Sequence, residues 1–268
     1  LENKKYTTKT AIRTADKLIG NKKLDEDRLF IYQSLSSYFV RNNDEPIIII
    51  DWSDLNDMQD IWFLRATLAT GGQGLTIYER VYNFSDYNNQ KIHEKFLDEL
   101  EIVLGKNIKP ILITDAGFKA GWFKAVEEKG WNYVGRVRGN SSYSLDDKEW
   151  SCIRDLYEKA VKKATYIGEV LLTKNKRQKT HMILSNQSGN KNFFRKKTKG
   201  IRSGQDPKRY KQSYEEPWLL VTSLKEAKET PAKIIALYKK RMQIEASFRY
   251  LKSQYGLRNS ESQTRIRY

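Results

Sequence analysis

Apolar positions along this chain alternate between helical spacing and short unbroken runs. From Asp25 to Val40 they recur every three to four residues (Leu29, Phe30, Tyr32, Leu35, Tyr38, Phe39), which predicts a helix in a charged N-terminal stretch, residues 1–45. Pro46 breaks that pattern. Ile47-Ile-Ile-Ile-Asp51 then has the β-branched texture of a strand buried on both faces. Phe63 to Leu68 and Leu75 to Val81 read as two more strands, and Gly71-Gly72-Gln73-Gly74 between them signals a hairpin. Asn88 to Leu104 sets Ile92, Phe96, Leu97, Leu100, Val103 and Leu104 on one helical face. Ile111-Leu-Ile-Thr-Asp115 is a second buried-strand run. A helix from about Gly121 to Lys129 and a strand from Tyr133 to Val137 follow. This order predicts an α/β layered domain.

Between Gly139 and Pro217 the texture changes. Short strand-like pieces, Tyr166 to Leu172 and His181 to Leu184, lie between polar stretches, and Lys191 to Lys211 carries nine Lys/Arg against the single acid Asp206. Regularity returns with a strand at Trp218-Leu-Leu-Val-Thr222. Thr230 and Pro231 then open a helix that should run to about Lys252. The expected organisation is an α/β core over 46–138 and 218–260, a helical region over 1–45 ahead of it, and a basic β-rich insertion over 139–217.

Composition narrows the chemistry. The 268 residues carry 49 Lys+Arg and 33 Asp+Glu, a formal charge of +16, which points to a polyanionic partner and first to nucleic acid. No apolar run approaches the ~20 residues of a membrane span. One cysteine, Cys152, leaves no internal disulfide framework and no cysteine zinc site, and it suits a reducing cytoplasm. With only His93 and His181 besides, both read as structural or surface residues, any working metal should be a hard ion held by carboxylates.

Asp51 and Asp115 each close an apolar strand, where ligands bind in open α/β sheets; each could instead merely cap a turn. On a continuous helix Tyr238, Arg241, Glu245 and Lys252 fall at roughly 0°, −60°, −20° and −40°, a stripe about 60° wide. The stripe could be a site or an ordinary face braced by the Arg241/Glu245 pair. Lys191–Lys211, with Phe193, Phe194 and Tyr210 interleaved, could be a DNA-backbone surface or a solvated loop.

These residues resemble a known family. Tyr238-x2-Arg241-x3-Glu245-x6-Lys252 matches the YREK signature of bacterial cut-and-paste transposases of the insertion-sequence-four family. Ile50-Asp51-Trp52-Ser53-Asp54 and Thr114-Asp115-Ala116-Gly117-Phe118 resemble its two Asp motifs. The likeness spans about Thr8 to Ser260. It implies a ribonuclease-H-like fold, a mixed sheet flanked by helices, with a β-rich insertion before the Glu-bearing helix. It further implies a catalytic triad of Asp51, Asp115 and Glu245 holding two Mg²⁺ or Mn²⁺ ions, which cleaves transposon ends and transfers strands into target DNA. Tyr238, Arg241 and Lys252 would contact phosphates beside the cut. Trp218 would stack on a flipped base, unless it is simply a core residue opening a strand.

The implied partners are double-stranded DNA and further copies of the chain in a synaptic complex, with no membrane, in a bacterial cytoplasm at the nucleoid. The chain starts at Leu1 and reads as a fragment, with most of the family's end-recognition region and its C-terminal helices outside it. Two rivals stand beside this reading: a truncated or domesticated relative that binds DNA without catalysis, and a stand-alone ribonuclease-H-like nuclease.

Overall fold

Ile48, Ile49 and Ile50 are wholly shielded from solvent in a computed structural model of the chain, which describes residues 7–19, 21–41, 43–55, 61–187 and 216–254. The chain divides into two compact units, Leu1–Lys109 with Gln243–Tyr268, and Pro110–Met242. No helix among the described residues is long and apolar enough to cross a membrane.

The first unit contains helices α1 (Thr8–Ile19), α2 (Lys22–Glu26) and α3 (Arg28–Phe39), then strands β1 (Ile47–Asp54), β2 (Ile61–Leu68) and β3 (Leu75–Asn83), then α4 (Gln90–Leu104). The strands pair antiparallel in the order β3-β2-β1, and the glycine-rich segment makes the hairpin between β2 and β3. β1 continues past Asp51 to Asp54, because its ladder with β2 runs on through Trp52, Ser53 and Asp54. The alternating tail that extends it is more polar than the isoleucine run. Asp51 is therefore a residue within the strand, not its last.

The α4 helix starts where the Asn89 side chain accepts the Lys91 N–H at 3.0 Å, and it ends at Gly105, whose φ of 90° suits only glycine. Its buried face holds Phe96, Leu97, Leu100, Val103 and Leu104 as expected, but it also takes in His93 and Glu99. Glu99 is satisfied there: it accepts the Tyr78 hydroxyl at 2.7 Å and pairs with Arg80. The α3 helix forms where its spacing predicts, yet Phe30, Leu35 and Tyr38 remain exposed.

The second unit contains β4 (Ile111–Thr114), α5 (Ala120–Glu128), β5 (Asn132–Val137), β6 (Ser142–Ser144), β7 (Ser151–Cys152), β8 (Thr165–Leu172), β9 (Gln178–Ser185), β10 (Trp218–Thr222) and α6 (Pro231–Lys239). Its strands are ordered β4-β5-β10-β9-β8-β6-β7. The β4 and β5 strands are parallel with α5 between them, and the later pairings are antiparallel. The strands expected as an insertion join this same sheet, since β10 is hydrogen-bonded to β5 on one side and β9 on the other. Under it lie Trp122, Phe123 and Tyr133, with the Phe123 and Tyr133 rings stacked at 4.6 Å. Gly135 makes room for this stack: a Cβ there would come within 2.3 Å of the Phe123 ring.

The helix expected from Thr230 to Lys252 is two helices. α6 ends at Lys239, and α7 runs Met242–Gln254. At the junction the N–H groups of Lys240 and Arg241 reach back only three residues, to the carbonyls of Leu237 and Tyr238. Such a tightened turn ends an α-helix without Gly or Pro. The break coincides with the border between the two units at Met242/Gln243.

Candidate active site

In the first unit α7 is fastened to β1 and β2 along its length. Gln243 exchanges two hydrogen bonds with the Thr70 backbone, accepting at 3.2 Å and donating at 3.0 Å. One turn on, the Arg65 guanidinium donates to Ser247 Oγ at 3.0 Å, and Phe248 meets Phe63 edge-on at 5.1 Å. Two turns past Glu245, the Lys252 ammonium pairs with Asp54. This mooring sets Glu245, in the first turn of α7, over the strand that carries Asp51. Asp51, Trp52, Glu245, Phe248, Arg249, Lys252 and Ser253 line one pocket. Both carboxylates are half-buried, and one Asp51 oxygen accepts the Trp52 N–H at 2.9 Å.

Arg65 lies directly opposite Asp51 in the β1/β2 ladder and so projects from the same face of the sheet. Its side chain is buried, salt-bridged to Glu79 at 2.5 Å, and it packs over the Phe63 and Phe248 rings at 4.8 and 5.2 Å. Behind the pocket the Trp52 indole N–H donates to His93 Nε2 at 3.0 Å, which leaves the ring proton on Nδ1. Burial pushes the His93 imidazole down to about 4. Because the folded value lies below the unfolded one of about 6.5, the unfolded chain takes the proton first, and stability falls as pH drops from about 6.5 to 4. The loss should reach about 3 kcal/mol at pH 4. Unfolding midpoints measured across that range should fall more steeply for the wild type than for His93→Gln; parallel curves would contradict the assignment.

Sequence reasoning missed Asp54, Arg65 and His93 as members of this region. Asp54 had a signal, since it closes the Asp51-Trp52-Ser53-Asp54 motif. Arg65 sits within a strand-like run where a lone charge is easily read as solvent-facing.

The remaining candidates belong to the second unit. Asp115 follows β4, is half-buried, and accepts the Gly117 N–H at 2.7 Å, so it does cap its turn. Trp218 opens β10 and meets Tyr238 edge-on at 4.9 Å, and the Arg241 guanidinium lies 5.9 Å from the Tyr238 ring centre. Tyr238 is buried, 3% exposed. The approach to Trp218 is held by Arg138, paired with Glu216 at 2.7 Å, and by Arg136, which donates to the Glu216 and Pro217 carbonyls. The stripe drawn on one continuous helix is therefore split: Tyr238 lies before the break, Arg241 within it, and Glu245 and Lys252 after it. The basic run Lys191–Lys211 lies outside the described residues.

Among the described residues no three or more His, Cys, Asp and Glu side chains gather as a metal-holding group. Asp51 and Glu245 are two carboxylates that line one pocket. That pair suits a hard cation such as Mg²⁺, which keeps several waters and is commonly held by one or two carboxylates together with substrate phosphates.

Comparison with curated proteins finds no match. A family model for the transposase DDE domain matches residues 42–267, which takes in Asp51, Asp115 and Glu245 and every strand of both units. The mixed α/β architecture accords with the ribonuclease-H-like fold of DDE transposases, a family that generally works with divalent metal ions on DNA. The chain belongs to the transposase DDE domain family.

Proposed function

We propose that the chain carries the catalytic centre of a cut-and-paste transposase of the insertion-sequence-four family, cleaving DNA at transposon ends and joining the freed strand to target DNA. The observation that carries this is the shared pocket of Asp51 and Glu245, flanked by the cations Arg249 and Lys252. Two carboxylates beside two cations suit a phosphodiester: the acids hold metal, and the bases hold the phosphate's charge. Asp115 is the third acid of the proposed triad.

Bound to these acids, two Mg²⁺ or Mn²⁺ ions would supply activation of a water or a 3′-hydroxyl and relief of charge on the departing oxygen. The protein's own part is to orient. Gln243, Ser247 and Phe248 fix α7 on β1 and β2, so Glu245 keeps its place relative to Asp51. Lys252 and Arg241 contact phosphates beside the cut; Tyr238, expected to do the same, is buried and backs the Arg241 guanidinium instead, and Trp218 stacks on a base drawn out of the helix.

In this reading residues 46–138 and 218–260 form the catalytic core, 139–217 the basic insertion, and 1–45 the end of a DNA-recognition region. The protein works as a synaptic assembly of copies on double-stranded DNA at the bacterial nucleoid. The test is an incubation of the protein with duplexes bearing the inverted repeats that flank its reading frame. Mg²⁺-dependent cleavage leaving a free 3′-hydroxyl is expected. Binding without any metal-dependent cleavage would overturn the catalytic reading in favour of a DNA-binding relative.

A further inference from the structure

Lys252 meets the pocket already engaged. Its ammonium lies 2.5 Å from an Asp54 carboxylate oxygen, and the two side chains are only 13% and 22% exposed. The pair links the last residue of β1 to α7 two turns beyond Glu245, at the edge of the pocket that Asp51, Glu245 and Lys252 line together. Being largely out of water, it is screened less than an exposed ion pair. An ammonium is a compact charge with no preferred plane, so it takes an oxygen of a phosphodiester as readily as one of a carboxylate. Asp54 thus presents to Lys252 the same chemistry that a DNA strand would bring.

Resting on the proposal that Lys252 contacts DNA, we infer that Asp54 is a built-in stand-in for a phosphate: it holds the lysine in the DNA-free protein and yields it to a phosphodiester arriving at the pocket. This has two physical effects. Lys252 is ordered beforehand, so little side-chain freedom is lost when DNA binds. Engagement becomes an exchange of one oxyanion for another, so a poorly seated phosphate does not capture the lysine. A chain of charge +16 attracts any DNA, and the exchange sets a local condition on that general attraction. The freed Asp54 also recruits a cation from solution, so the Lys252 contact adds little to net counterion release.

The experiment is binding of the chain to a short duplex, without divalent cations, at several salt concentrations between about 50 and 200 mM. Asp54→Asn should bind severalfold more tightly than wild type, with a log–log salt slope steeper by about 0.9. Lys252→Ala should bind more weakly. Adding Asp54→Asn to Lys252→Ala should bring no gain, whereas a general effect of removing one negative charge would persist there and would overturn the inference. Asp54→Glu, which keeps an acid in reach, should resemble wild type, and Asp54→Ser carries the same test as Asp54→Asn if the amide variant folds poorly. If Lys252→Ala binds with unchanged affinity and slope, the lysine does not touch DNA, and the underlying reading falls together with this one. If Lys252→Ala weakens binding while neither Asp54→Asn nor Asp54→Ser tightens it, the stand-in role alone falls.

Discussion

Glu245→Gln should lower metal-dependent cleavage of transposon-end DNA by about a thousandfold or more while leaving DNA binding nearly intact. The amide keeps the shape of the side chain but withdraws the charge that complements a divalent ion. Losing several kcal/mol of charge stabilisation at about 1.4 kcal/mol per decade gives that magnitude. The contacts of Gln243, Ser247 and Phe248 that hold α7 on the sheet remain in the variant, so the protein should stay folded. Cleavage rates and duplex binding measured side by side check this. Cleavage within tenfold of wild type would remove Glu245 from the chemistry.

The second large effect is on folding. Glu79→Gln should destabilise the protein by roughly 2–3 kcal/mol, since it strips the counter-charge from a guanidinium whose side chain is only 5% exposed. Glu79 itself is 34% exposed, which keeps the expected loss below that of a fully buried pair. The corresponding fall in melting temperature is roughly 5–10 °C for a chain of this size. Adding Arg65→Met should recover much of the loss, because the Phe63 and Phe248 rings that face the guanidinium offer an apolar surround. A Glu79→Gln protein that melts like wild type would mean that water reaches Arg65 freely. Arg65 donates to Ser247, two residues from Glu245, so the same variant tests how the sheet holds the helix that bears the acid.

Much of the architecture is legible because local pattern and burial agree. A run of isoleucines ahead of Asp51 has no soluble alternative to a covered strand, and the glycines from Gly71 to Gly74 leave a hairpin as the natural way on. The pocket pair is legible for a different reason: Glu245 belongs to a spacing pattern, Tyr238 to Lys252, that runs across two helices, and Asp51 to a short motif inside β1. The break at Lys240–Arg241 is not legible. Lys, Arg, Met and Gln all favour helix, so nothing local ends α6 there. Its termination follows from packing, with α6 covering β5 and β10 while α7 is tied to β1 and β2.

The same break hides the surroundings of Tyr238, which a continuous helix would put on a polar stripe and which the fold buries against Trp218. Arg65 and His93 escape notice because long-range partners decide their roles. Glu79 satisfies one and the Trp52 indole the other, and neither partner is apparent from neighbouring residues.

On the proposed function, Asp51 and Glu245 hold the metal with which this chain acts on DNA. Titration of Mn²⁺ into the protein, with free ion followed by electron paramagnetic resonance, measures this directly and needs no knowledge of the transposon ends. Wild type should bind Mn²⁺ in the presence of a duplex, and Asp51→Asn and Glu245→Gln should each weaken that binding by tenfold or more, about 1.4 kcal/mol. Unchanged Mn²⁺ affinity in both variants would mean that neither carboxylate holds the ion.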